Sequence, residues 1–163
     1  EAHMIRKANI DDMPEILRIY SAARQFMMEN GNPTQWGESY PQKSILLEDI
    51  ICGQLFIEEI EGKAHGVFAF ILGEDPSYHA IVDGEWLSDS PYGTIHRVAS
   101  DGRAKGFMKR TIDFCSRITP HLRIDTHGNN GIMQHLIIKN GFTLCGTIFV
   151  SDGSPRIAYE KLD

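Results

Sequence analysis

Cysteine is scarce in this 163-residue chain: Cys52, Cys115 and Cys145 are odd in number and far apart. That spacing excludes a disulfide framework, a thiolate metal site and a Cys-x-x-Cys redox pair. It fits reduced, mostly buried thiols in a cytoplasmic protein. An excess of positive charge is also missing, with 16 Lys and Arg against 22 Asp and Glu and a net charge of −6. A general nucleic-acid binder would carry a basic balance, so no nucleic-acid partner is expected. No apolar run reaches membrane-spanning length and no signal-peptide pattern is present, so no membrane partner is expected either. The seven histidines show no ligand spacing such as His-x-x-x-His, and no metal is expected. Gly-Lys-Ser/Thr and Gly-x-Gly-x-x-Gly are both absent, which excludes the P-loop and the dinucleotide fingerprint.

What remains is the make-up of an ordinary globular protein, 42% hydrophobic and 23% charged. The length suits one domain with a real core. Residues 1–3 read as a remnant ahead of a start at Met4, and 4–163 as a single domain. Met4–Ala8 reads as a strand. A helix capped by Asp11 or Asp12 comes next, with Pro14 in its first turn and Met13, Ile16, Leu17 and Tyr20 as its buried stripe. Asn30-Gly31 stops it. A loop with Trp36 and Tyr40 then leads to a helix over Ser44–Cys52. Leu55–Ile60 and Val67–Leu72 read as strands, the second apolar on both faces. Gly73–Pro91 is a long loop holding Trp86. Strand Thr94–Ala99, helix Phe107–Ile118, strand Leu122–Thr126, a helix capped by Asn129 or Asn130, and strands Thr143–Val150 and Arg156–Glu160 complete the chain.

The most informative stretch joins Thr94–Ala99 to the helix at Phe107. It is basic and glycine-bearing, with Gly102, Arg103, Lys105, Gly106, Lys109 and Arg110, against an acidic background. A helix start carries unpaired N–H groups and about half a unit of positive charge, and glycine lets a ligand approach the main chain. Phosphate binding and an ordinary surface loop are both consistent with the turn alone.

Two motifs in sequence order resemble the GNAT acyltransferase superfamily. Arg103-Ala104-Lys105-Gly106-Phe107-Met108 is similar to its coenzyme turn, Gln/Arg-x-x-Gly-x-Gly/Ala, with Met108 in place of the last small residue. Asn130, Met133, Leu136 and Lys139-Asn140-Gly141-Phe142 resemble its later helix and Asn/Leu-Gly-Phe turn. The order of elements agrees along nearly the whole chain. The resemblance implies an α/β fold with a mixed, mostly antiparallel sheet of about six or seven strands flanked by about four helices. It opens near Thr94–Ala99 and Leu122–Thr126 for the coenzyme. It further implies acetyl-CoA as co-substrate and amine N-acetylation. By the same resemblance, Arg103, Ala104, Lys105, Gly106, Phe107 and Met108 bind the pyrophosphate. Val98 and Ala99 pair with the pantetheine arm, the Val98 N–H polarises the thioester carbonyl, Asn130 meets the pantetheine end or the departing sulfur, and Met133 joins the coenzyme site. The tyrosine that often protonates the departing thiolate is replaced by Ile137.

An amine of pKa ~10 must lose a proton before it attacks. His96, beside the expected thioester, and Glu85 are candidate bases; a packed, hydrogen-bonded histidine is the competing reading. Trp36, Tyr40, Trp86, His96 and His127 form the expected acceptor pocket, for a small-molecule or peptide amine. Trp36 and Tyr40 equally suit a role in pinning their loop to the core. Asp125 and His127 suit either acceptor binding or the turn into the next helix. Cys115 and Cys145 lie on apolar faces, which disfavours an acyl-enzyme and favours direct transfer in a ternary complex. The alternative function is a non-catalytic acyl-CoA-binding or sensing domain. A homodimer is among the assemblies to be tested.

Overall fold

The computed structural model describes residues 2–163; Glu1, part of the expected remnant, lies outside the described residues. In chain order the elements are β1 (His3–Lys7), α1 (Met13–Glu29), α2 (Lys43–Ile51), β2 (Leu55–Ile60), β3 (Lys63–Leu72), β4 (Gly93–Ser100), α3 (Phe107–Ser116), β5 (His121–Thr126), α4 (Gly131–Lys139), β6 (Thr143–Phe149) and β7 (Pro155–Leu162). The seven strands form one mixed sheet in the order β1-β2-β3-β4-β5-β7-β6, with four helices, as the sequence implies. β4 and β5 run parallel, paired at Gly93–Leu122 and Thr94–Arg123. The β1–β2, β2–β3, β5–β7 and β6–β7 ladders are antiparallel. No helix among the described residues is long and apolar enough to cross a membrane.

The chain divides into two compact units: residues up to Phe70 with His96–Phe107, and Ile71–Ile95 with Met108–Asp163. The core of the first gathers Met13, Ile16, Ile19, Tyr20 and Ala23 from α1 with Leu55, Ile57, Val67 and Ala69 from β2 and β3. Removing each of the Ile, Leu, Val or Met side chains among them from water contributes roughly 1.5–3 kcal/mol. Ile19 and Ala23 complete the buried stripe in place of Leu17, which is 36% exposed and one position off the buried face. Asp12 is the N-cap residue of α1, as expected, but its side chain makes no cap bond to that helix. Asn9 caps a single 3₁₀ turn at Ile10–Asp12, and Asp12 returns the bond by accepting from the Asn9 N–H at 2.8 Å. Arg6 grips the Asp12 carboxylate through two 2.8 Å bonds, and this guanidinium holds the carboxyl below its ordinary range.

The second unit is closed by its long loop. Tyr78, Tyr92, Ile148 and Ala158 form a core there, with Trp86 packed against it. Val82 exchanges backbone hydrogen bonds with Thr147 of β6, at 2.9 and 2.8 Å. At Gly84 a Cβ would sit 1.8 Å from the Cys145 carbonyl oxygen, so only glycine lets the loop press against β6.

Candidate active site

The basic turn is built by its own side chains. Gly102 and Gly106 adopt φ of 84° and 81°, left-handed values that glycine takes without steric cost. The Gly102 N–H donates to Ser100 Oγ at 3.1 Å and the Arg103 N–H to Asp101 Oδ1 at 3.0 Å. The Asp101 carboxylate is nearly buried and also accepts from Arg18 Nη1 and Arg103 Nε, both at 3.1 Å. The Arg103 side chain is therefore folded onto its own turn. Asp101 N–H donates to the His65 carbonyl at 2.9 Å, and Arg18 Nη2 donates to the Ala64 carbonyl at 3.0 Å, so the main chain at the start of β3 secures this segment. The helix opens at Phe107, whose ring covers Gly66; a Cβ there would lie 2.4 Å from the ring. The N–H groups of the first turn of α3 have no partner within the helix. Lys109, one of the basic residues of this stretch, lies at the surface and pairs with Asp113 one turn on, at 2.7 Å.

Upstream, β4 contains an outlier. Arg97 has φ of 50° in mid-strand, a left-handed conformation that costs a non-glycine residue roughly 1–2 kcal/mol. Its guanidinium meets Asp49 of α2 through two 2.9 Å bonds, and Gln54 donates to the same carboxylate at 2.9 Å. The Tyr20 hydroxyl, on α1, donates to the Arg97 carbonyl at 2.6 Å. Burial works against the charge on Arg97, but Asp49 and Tyr40 together outweigh it and hold the pKa above the usual value. Burial above all pushes the Tyr20 phenol well up, against the pull of Arg97 and with help from Asp49 and Tyr40, so it stays a donor. His96 and Val98 flank Arg97 and are half-buried, and Ala99 is buried. Trp36 packs edge-on against Tyr20 at 5.7 Å and beside Tyr40 at 6.3 Å, pinned to the core of the first unit. Tyr40 Oη lies 3.4 Å from Arg97 Nη1.

In the second unit Arg123 of β5 lies between the rings of Trp86 and Tyr92, at 3.9 and 4.0 Å. Glu160 of β7 accepts from Arg123 Nε at 2.7 Å, from the Leu87 N–H at 2.6 Å, and is bonded to His121 Nε2 at 2.5 Å. Trp86 Nε1 donates to the Tyr78 carbonyl at 2.8 Å. Arg123, Trp86, Tyr92, Tyr78 and Leu87 line an open cleft of about 400 Å³ with Glu74, His79 and Asp89. Glu85 stands exposed on the same loop. Asp125 accepts from the Tyr78 hydroxyl at 2.5 Å, so it braces the loop rather than capping the next helix. The cap of α4 is Asn130, whose Oδ1 accepts from the Met133 N–H at 3.1 Å. His127 shapes the preceding turn, its Nδ1 accepting from the Asn129 N–H at 3.0 Å. Burial, and then Arg156, hold its pKa below the usual imidazole value. Met133 is half-buried and Ile137 fully buried.

Cys115 and Cys145 are buried and their thiols are pushed up, Cys145 to about 11 by burial and then by Glu160; Cys52 is exposed. Neither buried thiol has the base-assisted setting of a nucleophile. Among the described residues, His3, Glu58 and His65 bring three metal-ligating atoms within 4.8 Å of one another. The nearest two are already joined, His65 Nε2 to Glu58 Oε1 at 2.6 Å, and His3 belongs to the segment read as a remnant, although β1 begins there.

Of the expected site residues, Trp36, Tyr40, His96, Val98, Ala99 and 103–107 belong to the first unit, and Glu85, Trp86, Met108, His127, Asn130 and Met133 to the second. Sequence reasoning placed Tyr20 in the buried stripe but missed its bond to the Arg97 carbonyl, and it missed the Arg97–Asp49 and Arg123–Glu160 pairs. The two ion pairs join residues 48 and 37 positions apart, so no local pattern marks them.

Comparison with family models and with curated proteins gives no match. Solved structures do match. A GNAT-family acetyltransferase from Streptococcus agalactiae is 29% identical over 100% of this chain and 96% of its own, with a TM-score of 0.91. A GNAT-family acetyltransferase from Listeria monocytogenes is 18% identical over 99% of this chain and 95% of its own, with a TM-score of 0.69. The yncA protein of Salmonella typhimurium, solved with its cofactor acetyl-CoA, is 19% identical over 100% of this chain and 95% of its own, with a TM-score of 0.61. The last two share the fold.

Proposed function

The chain belongs to the GNAT acetyltransferase superfamily, and from that premise we propose that it moves an acetyl group from acetyl-CoA to a primary amine by direct transfer in a ternary complex. The observation that carries the reading is the turn at 101–106, with left-handed Gly102 and Gly106 feeding the start of α3 at Phe107. Such a helix mouth suits a diphosphate, because its N–H groups and dipole both favour negative charge.

Acetyl-CoA supplies the activated acyl group; the chain supplies placement and proton transfer. The main chain from Ala104 to Met108 holds the pyrophosphate, and Arg103 adds a side-chain donor once released from Asp101. Val98 and Ala99 offer main-chain groups to the pantetheine arm, and the short β4–β5 ladder supports that role. The Val98 N–H is aimed at the thioester carbonyl, where negative charge develops during attack. His96 takes the proton from the ammonium of the acceptor, directly or through water. The raised thiols of Cys115 and Cys145 support transfer without an acyl-enzyme.

One observation favours a sensing domain instead: Ile137 is fully buried, so α4 offers no acid at the position where the family often has tyrosine. Release of free thiol from acetyl-CoA with a panel of primary amines separates the two. Turnover on at least one amine class is the expected result. Calorimetric binding of acetyl-CoA with no turnover on any amine would establish the sensor, and no binding would end both readings.

A further inference from the structure

We infer that Tyr20 and Asp49 are positioning residues that lock the Arg97 kink of β4 and thereby aim the Val98 N–H. The inference rests on the role proposed for that N–H above. The Arg97 carbonyl and the Val98 N–H belong to one planar trans peptide, so they point in opposite directions. A donor fixed on the oxygen therefore fixes where the hydrogen points. Tyr20 is that donor, at 2.6 Å, from a side chain with no exposed surface. A hydrogen bond received by the carbonyl also polarises the peptide, which makes its N–H a stronger donor.

The kink supplies the second half of the argument. Along a regular strand, backbone groups alternate between the two neighbouring strands; a left-handed residue breaks the alternation and re-aims the next peptide. Arg97 takes φ of 50° without being glycine, and such a conformation persists only where its surroundings hold it. The restraints are visible. Asp49 is 2% exposed and grips the guanidinium through both carboxylate oxygens, while Gln54 steadies the carboxylate. A salt bridge that only stabilised the fold would need no strained backbone beside it. A strained residue gripped through its side chain and its carbonyl, immediately before the candidate oxyanion donor, is the arrangement a pre-organised site requires.

The test needs no knowledge of the acceptor. Infrared difference spectra of bound acetyl-CoA, labelled with ¹³C at the acetyl carbonyl, report whether an N–H donates to the thioester oxygen. The wild-type chain is expected to shift that band to lower frequency. Tyr20→Phe keeps the ring and removes the hydroxyl alone; it should lose at least half of the shift while its affinity for coenzyme A stays within about twofold, since the diphosphate contacts are untouched. Asp49→Asn should behave likewise. The double variant Asp49→Asn/Arg97→Gly should regain the shift, because glycine takes the left-handed conformation without a clamp. A purely structural role would move melting temperature without this pattern of loss and recovery. Full retention of the shift in both Tyr20→Phe and Asp49→Asn overturns the inference alone. A wild-type chain that binds acetyl-CoA with an unshifted band overturns the role of Val98 and the inference with it.

Discussion

Two buried arginine–carboxylate pairs, one in each unit, use the same chemistry for opposite ends. Arg97–Asp49 in the first unit has side chains 13% and 3% exposed; Arg123–Glu160 in the second has 5% and 0%. Arg123 sits on regular strand backbone, sandwiched between two aromatic rings, and Glu160 also serves His121 and the Leu87 N–H. That pair stitches the loop 73–92 to the sheet of its unit. Arg97 sits on backbone its residue type resists, and its pair is set against local strain. The second arrangement serves stability. The first gives up part of its stability to hold a peptide in one orientation.

The largest expected effect is on the unstrained pair. Glu160→Gln leaves the Arg123 charge buried without its counter-ion and should cost roughly 3–5 kcal/mol in denaturant unfolding. A loss below about 1 kcal/mol would show that the aromatic sandwich alone secures Arg123 and would dissolve the contrast. Asp49→Asn should cost less than Glu160→Gln, by about the 1–2 kcal/mol of strain that Arg97 then releases. Equal costs in the two variants would mean that the left-handed residue stores no strain. At the bottom of the scale, Lys109→Ala removes an exposed i,i+4 pair with Asp113 and should change stability by no more than about 0.5 kcal/mol. That variant sets the baseline against which buried pairs are read.

Local chemistry was legible in the sequence and distant pairing was not. β2 falls on Leu55–Ile60 and α3 starts at Phe107, as periodicity and the glycine turn indicate. Gly102 and Gly106 both take positive φ, as a tight turn into a helix demands. Differences of detail are local too: the stripe of α1 includes Ile19 and leaves out Leu17, and Asp12, the N-cap residue of α1, turns its carboxylate back to Arg6 and the Asn9 N–H instead of bonding that helix. The clamp on Arg97 has no local signature. Tyr20 and Asp49 lie on two helices and meet it only through the folded chain, and nothing in His96-Arg97-Val98 marks the middle residue as left-handed. Glu160 looks from sequence like a strand-end carboxylate, yet it is the hub of the second unit. Trp36 and Trp86 sit in similar-looking loops, and only contacts separate the one that pins its loop from the one that covers an arginine.

The exchange of bonds between Val82 and Thr147 has a further consequence. β6 ends the strand order on its side, and the outer rim of a terminal strand is where unrelated copies of a protein can zip together. Val82 occupies part of that rim, and the irregular register between Leu144 and Gly146 distorts the rest. Fibre growth along that flank would first have to peel the loop away, so the segment doubles as a guard against self-aggregation.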